Sequence, residues 1–289
     1  MVKVKQKIVL RKLRNTYWLR ANLMHSAELT PLVDPLLQLA RTAGEHIMDI
    51  YHAKDIGQRL KDDQSPVTLA DLAAHNCLAP ALKQLADWPV VSEEDAASLS
   101  FRTSASRFWL IDPLDGTKEF IAKNDEFTVN IALIDQGRSV LGVVYAPALS
   151  LLYWGGPGLG AYRVQDGRTQ AISVAQDASK QNQTQTCRVV ASKSHLNAAT
   201  QKFIDKLGSV SLIQAGSSLK FCRVAEGAAD IYPRLAPTCE WDTAAAQAVL
   251  EGAGGIVVDA HTRTPLCYGK PEVLNPSFVA ARNPQVIPQ

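Results

Sequence analysis

The sequence predicts a mixed chain in two parts, an α+β half followed by an α/β half, and three observations carry that prediction. Apolar residues recur at helical spacing over residues 32 to 51, and a second helical run follows residue 69. Between residues 127 and 154, three short apolar runs are joined by turn signals, the mark of an antiparallel meander. Beyond residue 186, strand-like and helix-like runs alternate, as in a sheet with helices packed on it.

Residues 1 to 29 are basic. Lys3, Lys5, Lys7, Arg11, Lys12, Arg14 and Arg20 all precede the first acid, Glu28. No run of seven or more apolar residues provides a secretory core, so the expectation is a disordered extension that makes at most peripheral contact with an anionic membrane. Leu36, Leu37, Ala40, Ala43 and Ile47 then stripe one face of a core helix. A polar loop, Asp62-Asp63-Gln64-Ser65-Pro66, leads through Val67-Thr68-Leu69 into a second helix that reaches Ala81 or Leu85. Asp71 sits in its first turn, where capping and the helix dipole already account for an acid.

Residues 88 to 92 read as a strand that ends in Glu93-Glu94-Asp95, a solvated turn or part of a cation site. Residues 109 to 111 form another strand, expected to stop at Pro113 for want of an N–H. Asp115-Gly116 is expected to turn. Residues 127 to 134 and 139 to 145 form a hairpin about Asp135-Gln136-Gly137-Arg138, with residues 151 to 154 as a third strand. Residues 155 to 160 hold four glycines but lack the strand-to-helix placement of a phosphate loop, so they read as a turn.

The polar stretch 166 to 186 is the expected junction, dividing the chain into a metal-binding α+β half at 30–165 and an α/β half at 166–289. In the second half, residues 188–191, 210–213, 230–232 and 256–259 read as strands. Residues 197–207, 218–225 and 241–250 read as helices, the last with Asp242 at its start and glycines at its end.

With 46% hydrophobic residues, 289 residues suffice for a full core. Thirty basic against 28 acidic residues leave a net charge of +2, which recommends neither nucleic acid nor membrane as principal partner. The five cysteines, Cys77, Cys187, Cys222, Cys239 and Cys267, are odd in number and never spaced Cys-x-x-Cys. That argues against disulfides and zinc and fits a reducing cytoplasm. Any metal chemistry falls to carboxylates.

The stretch best suited to it is Trp109-Leu110-Ile111-Asp112-Pro113-Leu114-Asp115-Gly116-Thr117. Two acids three residues apart on a bend repel unless a cation lies between them, and hard oxygen donors suit Mg²⁺. Gly116 and Thr117 add backbone N–H groups of the kind a phosphate oxygen needs.

Asp71, Glu93-Glu94, Asp112 to Thr117 and Trp241-Asp242-Thr243-Ala244-Ala245-Ala246 together form an ordered set that resembles the inositol monophosphatase superfamily. The resemblance implies a layered αβαβα sandwich. Asp115-Gly116-Thr117-Lys118-Glu119-Phe120, Ser92-Glu93-Glu94-Asp95 and Gly216 to Cys222 are similar to its bacterial 3′(2′),5′-bisphosphate nucleotidase branch. That implies an enzyme of sulfate assimilation acting on adenosine 3′,5′-bisphosphate and 3′-phosphoadenylyl sulfate, Mg²⁺-dependent and Li⁺-sensitive.

The same resemblance implies roles. Glu93, Asp112 and the Leu114 carbonyl would hold one Mg²⁺, and Asp112, Asp115 and Asp242 a second. Gly116 and Thr117 would hold the scissile phosphate. Asp71 with Thr117 would orient or deprotonate the attacking water, and Glu94 would support the cluster or a third ion. Three further residues are read from their own placement: Lys220, in the first turns of a helix opened by Gly216-Ser217-Ser218, against the non-reacting phosphate, Arg234 assisting it, and His195 either against the adenine or as a capping or surface histidine. The readings that compete are an inositol or other sugar phosphatase of the same superfamily, and a non-catalytic binding relative. The sequence leaves the oligomeric state open.

Overall fold

A computed structural model describes residues 2–61, 65–175, 186–191 and 197–288, with side chains described from residue 26. Helix α1 (Val2–Tyr51) is followed by the short pair β1 (Arg59–Leu60) and β2 (Pro66–Val67), then by α2 (Leu69–Leu85). Next come β3 (Val90–Ser92), α3 (Phe101–Ser104), β4 (Arg107–Asp115), α4 (Thr117–Ile121), β5 (Thr128–Asp135), β6 (Arg138–Ala146), β7 (Leu151–Gly156), β8 (Gly160–Gln165) and β9 (Arg168–Ala171). The rest is β10 (Cys187–Ala191), α5 (Ala198–Asp205), β11 (Val210–Gln214), α6 (Leu219–Ala225), β12 (Ile231–Arg234), α7 (Trp241–Gly252), β13 (Ile256–Asp259) and β14 (Phe278–Ala281).

Strand alternation decides the layering. In β4, Trp109 and Ile111 face one way and pack with Leu36, Ile47, Leu78 and Leu82 of α1 and α2. Phe108 and Leu110 face the other way, against Phe221 and Val224 of α6 and Ala245 and Val249 of α7. The second sheet repeats the device. Val190, Tyr232 and Ala280 point toward α6 and α7, whereas Val189, Ile231 and Val279 point toward Ile204 of α5. The result is the αβαβα sandwich that the resemblance implied.

The first sheet runs β3-β4-β5-β6-β7-β8-β9 and is antiparallel apart from β3 beside β4. The second runs β11-β10-β12-β14-β13. Helix α7 lies so close to β6 that a Cβ on Gly142 would come within 2.0 Å of the Ala245 carbonyl, and this contact seats the start of α7 over the first sheet.

Three expectations need correction. Strand β4 does not stop at Pro113 but runs on to Asp115, because the missing N–H falls where the pairing with β5 shifts register between Asp112 and Asp115. The expected turn then follows at Gly116, whose φ of 93° links β4 to the short helix α4. The boundary at 165/166 cuts the β8–β9 hairpin, whose strands pair from Tyr162↔Ala171 to Gln165↔Arg168, and one core cluster spans both proposed halves. Finally, Leu29 is 1% exposed inside the first core, so the folded body includes the end of the basic leader; the side chains of residues 1 to 25 lie outside those described. Among the described residues, no helix is long and apolar enough to cross a membrane.

Candidate metal centre and anion pocket

The centre is assembled where β3 and β4 end side by side. Their parallel register sets Ser92 against Ile111, and Glu93 N donates to the Ile111 carbonyl at 3.3 Å. The next residues on each strand, Glu93 and Asp112, therefore emerge together. Asp242 arrives from the first turn of α7, where its Oδ2 accepts from Cys239 N at 2.8 Å. One carboxylate oxygen from each of Glu93, Asp112 and Asp242 lies within 4.8 Å of the others.

Asp115 approaches the same place by a different restraint. Its Oδ2 accepts from Ser217 Oγ (2.5 Å), Ser218 N (2.7 Å) and Asn130 Nδ2 (3.4 Å). One oxygen is thus pinned, and Oδ1 accepts no hydrogen bond among the described residues. The bend is fixed by Leu114 N donating to Asp112 Oδ1 at 3.1 Å.

Asp71 serves two ends. Its Oδ2 accepts from Thr68 N and Thr68 Oγ1, both at 2.7 Å, which closes a capping box at the start of α2. Its Oδ1 accepts from Thr117 Oγ1 at 3.1 Å. The cap holds the carboxylate still, and the other oxygen is aimed at the Thr117 hydroxyl.

The electrostatics fit a bound cation. Asp112 is 2% exposed. Burial, then the charges of Glu93, Asp115, Asp242 and Glu94, raises its carboxyl well above the usual range. Burial first, and then Asp115 and Glu93, pushes Asp242 up to about 8. Burial also raises Glu93, against the pull of Lys61. Lys61 Nζ bridges Glu93 Oε1 (2.8 Å) and Glu94 Oε1 (2.7 Å), but it reaches neither Asp112 nor Asp242. Converging oxygen donors left in that state are the donor set of a hard divalent ion.

Beside the acids opens a pocket of about 100 Å³, lined by Asp115, Gly116, Asp242, Lys220 and Arg234 among others. Lys220 is 7% exposed, and burial pulls its ammonium down to about 8 although Asp115 opposes the shift. The Arg234 guanidinium donates to the Pro237 carbonyl at 3.2 Å, while its Nε is buried and unpartnered.

The site residues read from the sequence therefore converge, with two exceptions. Ser218, assigned to the substrate, is 1% exposed; its N–H is spent on Asp115 and its hydroxyl donates to Asn130 Oδ1 at 2.8 Å. It supports a carboxylate instead. His195 lies outside the described residues. Sequence reasoning missed Lys61 and Asn130, and it set Ser217 against phosphate rather than Asp115. Lys61 had a faint signal as the cation directly before Asp62-Asp63, whereas Asn130 sits unmarked in an apolar strand.

Comparison with known proteins adds the family. The model of the inositol monophosphatase family matches residues 28–287. The chain is 45% identical over 249 residues to the 3′(2′),5′-bisphosphate nucleotidase CysQ of Salmonella typhimurium, covering 86% of this chain and 98% of that one. It is 46% identical over 250 residues to the protein of the same name from Escherichia coli, with the same coverage. The crystal structure of CysQ from Bacteroides thetaiotaomicron, described as a bacterial member of the inositol monophosphatase family, superposes with a TM-score of 0.72 at 40% identity, covering 85% of this chain and 95% of that one.

Proposed function

The chain belongs to the inositol monophosphatase family, and from that premise we propose that its cleft hydrolyses the 3′-phosphate of adenosine 3′,5′-bisphosphate, and of 3′-phosphoadenylyl sulfate, as a step of sulfate assimilation. The observation that carries the proposal is the junction of two opposite charge environments in one cleft. The buried Asp112 with the half-buried Glu93 and Asp242 takes a cation, and the buried Lys220 with the half-buried Arg234 takes a second, non-reacting phosphate.

Glu93, Asp112 and the Leu114 carbonyl would hold one Mg²⁺, and Asp112, Asp115 and Asp242 would hold a second, with Glu94 as support. Bound there, the metal supplies charge against the phosphate oxygens and acidifies the attacking water. The chain's own residues do the rest. Gly116 and Thr117 present N–H groups to the scissile phosphate. Thr117 Oγ1 takes a proton from the water while passing its own to Asp71, so a P–O bond forms as the bond to O3′ breaks. The leaving 3′-oxygen is protonated from solvent, and the products are AMP and phosphate. Li⁺ in a Mg²⁺ position brings half the charge and inhibits at millimolar levels.

The test is phosphate release from adenosine 3′,5′-bisphosphate, inositol 1-phosphate and fructose 1,6-bisphosphate, with and without Mg²⁺. Release from the nucleotide, dependent on Mg²⁺ and faster than from either sugar phosphate, is expected. A preference for inositol 1-phosphate overturns the assignment, and Mg²⁺-independent binding without turnover makes the protein a non-catalytic relative.

A further inference from the structure

The pocket beside the metal centre contains a side chain that this reaction leaves unused. Glu119 lines it, in the first turn of α4, and among the described residues its carboxylate accepts no hydrogen bond. Two close approaches locate it. A Cβ on Gly116 would stand 3.3 Å from Glu119 Oε2, and a Cβ on Gly216 would stand 3.3 Å from its Cγ. The carboxylate therefore leans over Gly116, and its charge is felt at Lys220. An acid in the first turn of a helix is accounted for by the dipole, but that gives no reason for it to face a pocket built for phosphates. A carboxylate beside an anion is unfavourable unless the ligand brings a donor to it.

We propose that Glu119 is a specificity residue that accepts a hydrogen bond from the sugar hydroxyl adjacent to the phosphate being cleaved, and so selects ribonucleotides over 2′-deoxyribonucleotides. The inference rests on the nucleotidase reading, with the scissile phosphate at Gly116 and Thr117. In that position the donor nearest Gly116 is the hydroxyl on the neighbouring ribose carbon, whereas the exocyclic amine of the base lies at the far end of the nucleoside. A nucleoside 2′,5′-bisphosphate presents its 3′-hydroxyl in the same relation, so one acceptor serves both isomers. A 2′-deoxy substrate leaves the carboxylate unpaired beside phosphate, a penalty with no compensating contact.

The experiment measures kcat and KM of the wild type, Glu119→Ala and Glu119→Gln on adenosine 3′,5′-bisphosphate and on its 2′-deoxy analogue, with Mg²⁺ present. The wild type is expected to favour the ribonucleotide by about 10- to 100-fold in kcat/KM, the range of one charge-assisted hydrogen bond. Glu119→Ala should lose that preference, by a loss on the ribonucleotide and a gain on the 2′-deoxy analogue, bringing the two substrates within about threefold. Glu119→Gln retains a neutral acceptor and should fall between. Equal use of both sugars by the wild type overturns the inference and leaves the nucleotidase reading standing. Equal loss on both substrates in the two variants also overturns it, since Glu119 then serves the common centre or the fold. No release from the ribonucleotide by the wild type overturns the nucleotidase reading itself.

Discussion

The two walls of the cleft are opposites made by the same means. On one, Glu93, Asp112 and Asp242 are crowded and desolvated until their acidity weakens; on the other, Lys220 is buried until its ammonium gives up its proton at about 8. Neither wall relaxes by pairing with the other. Asp115, the acid whose charge bears most on Lys220, has one oxygen committed to Ser217, Ser218 and Asn130. Held apart in this way, each wall keeps an unmet demand, one for a cation and the other for an anion. The contrast teaches that neutral donors and backbone hold Asp115 and Asp242 in place, while a charged partner, Lys61, reaches only the Glu93-Glu94 end of the acidic wall.

The most damaging way to break the contrast is Asp112→Asn. The substitution preserves shape but removes the charge that both proposed ions share, so kcat/KM should fall roughly a thousandfold or more. The metal-free protein should become more stable, because a buried like-charge repulsion is removed. Activity near wild type at saturating Mg²⁺, measured on a variant with a normal melting curve, would sink the assignment.

Lys220→Ala strikes the other wall. If Lys220 meets the phosphate that is not cleaved, kcat/KM for adenosine 3′,5′-bisphosphate should fall by about 10- to 100-fold, with inositol 1-phosphate hardly affected. Equal loss on both substrates would place Lys220 in the common machinery. Smaller still is Ser218→Ala. Its hydroxyl is buried and satisfies Asn130, so the cost should be about 1 kcal/mol of stability and less than about threefold in kcat/KM. A larger loss of activity than of melting temperature would return Ser218 to the substrate.

How much of this was legible in the chain depends on what had to be local. Asp112-Pro113-Leu114-Asp115-Gly116-Thr117 and Trp241-Asp242 announce themselves because each carries its own bend or cap. The meander from β5 to β7 is written in period-two patterning. Strand β14 is a four-residue run of Phe278 and small apolar residues inserted between β12 and β13, and only tertiary pairing makes it a strand. The division at residue 166 failed because Asp166-Gly167 is the turn of a hairpin, and polar composition marks a hairpin turn and a linker alike. Lys61 and Asn130 reach the acids from 32 and 15 residues away, and no local pattern encodes such a meeting.

The smallest expected effect is also the one that compares the walls directly, because it reads both charges without turnover. In metal-free protein, Asp242 at about 8, with Asp112 and Glu93 also raised, holds protons that the unfolded chain has released at its ordinary carboxylate values near 4. The folded state thus binds more protons between about pH 4 and about pH 8, and stability must fall as pH rises through that window. Lys220 has the reverse sign. Its folded value of about 8 lies below its ordinary 10.5, so the folded state binds fewer protons above pH 8 and its penalty lifts as pH rises further. Thermal melts in EDTA should therefore pass through a minimum near pH 8. Mg²⁺ should raise the melting temperature more at pH 8 than at pH 5, since it competes with the protons on the acids. Asp112→Asn should flatten the descending limb, and Lys220→Met should remove the rise above pH 8. A metal-free melting temperature that climbs steadily from pH 5 to pH 8 would mean that the acids are already compensated inside the protein, leaving the acidic wall with no demand for a cation.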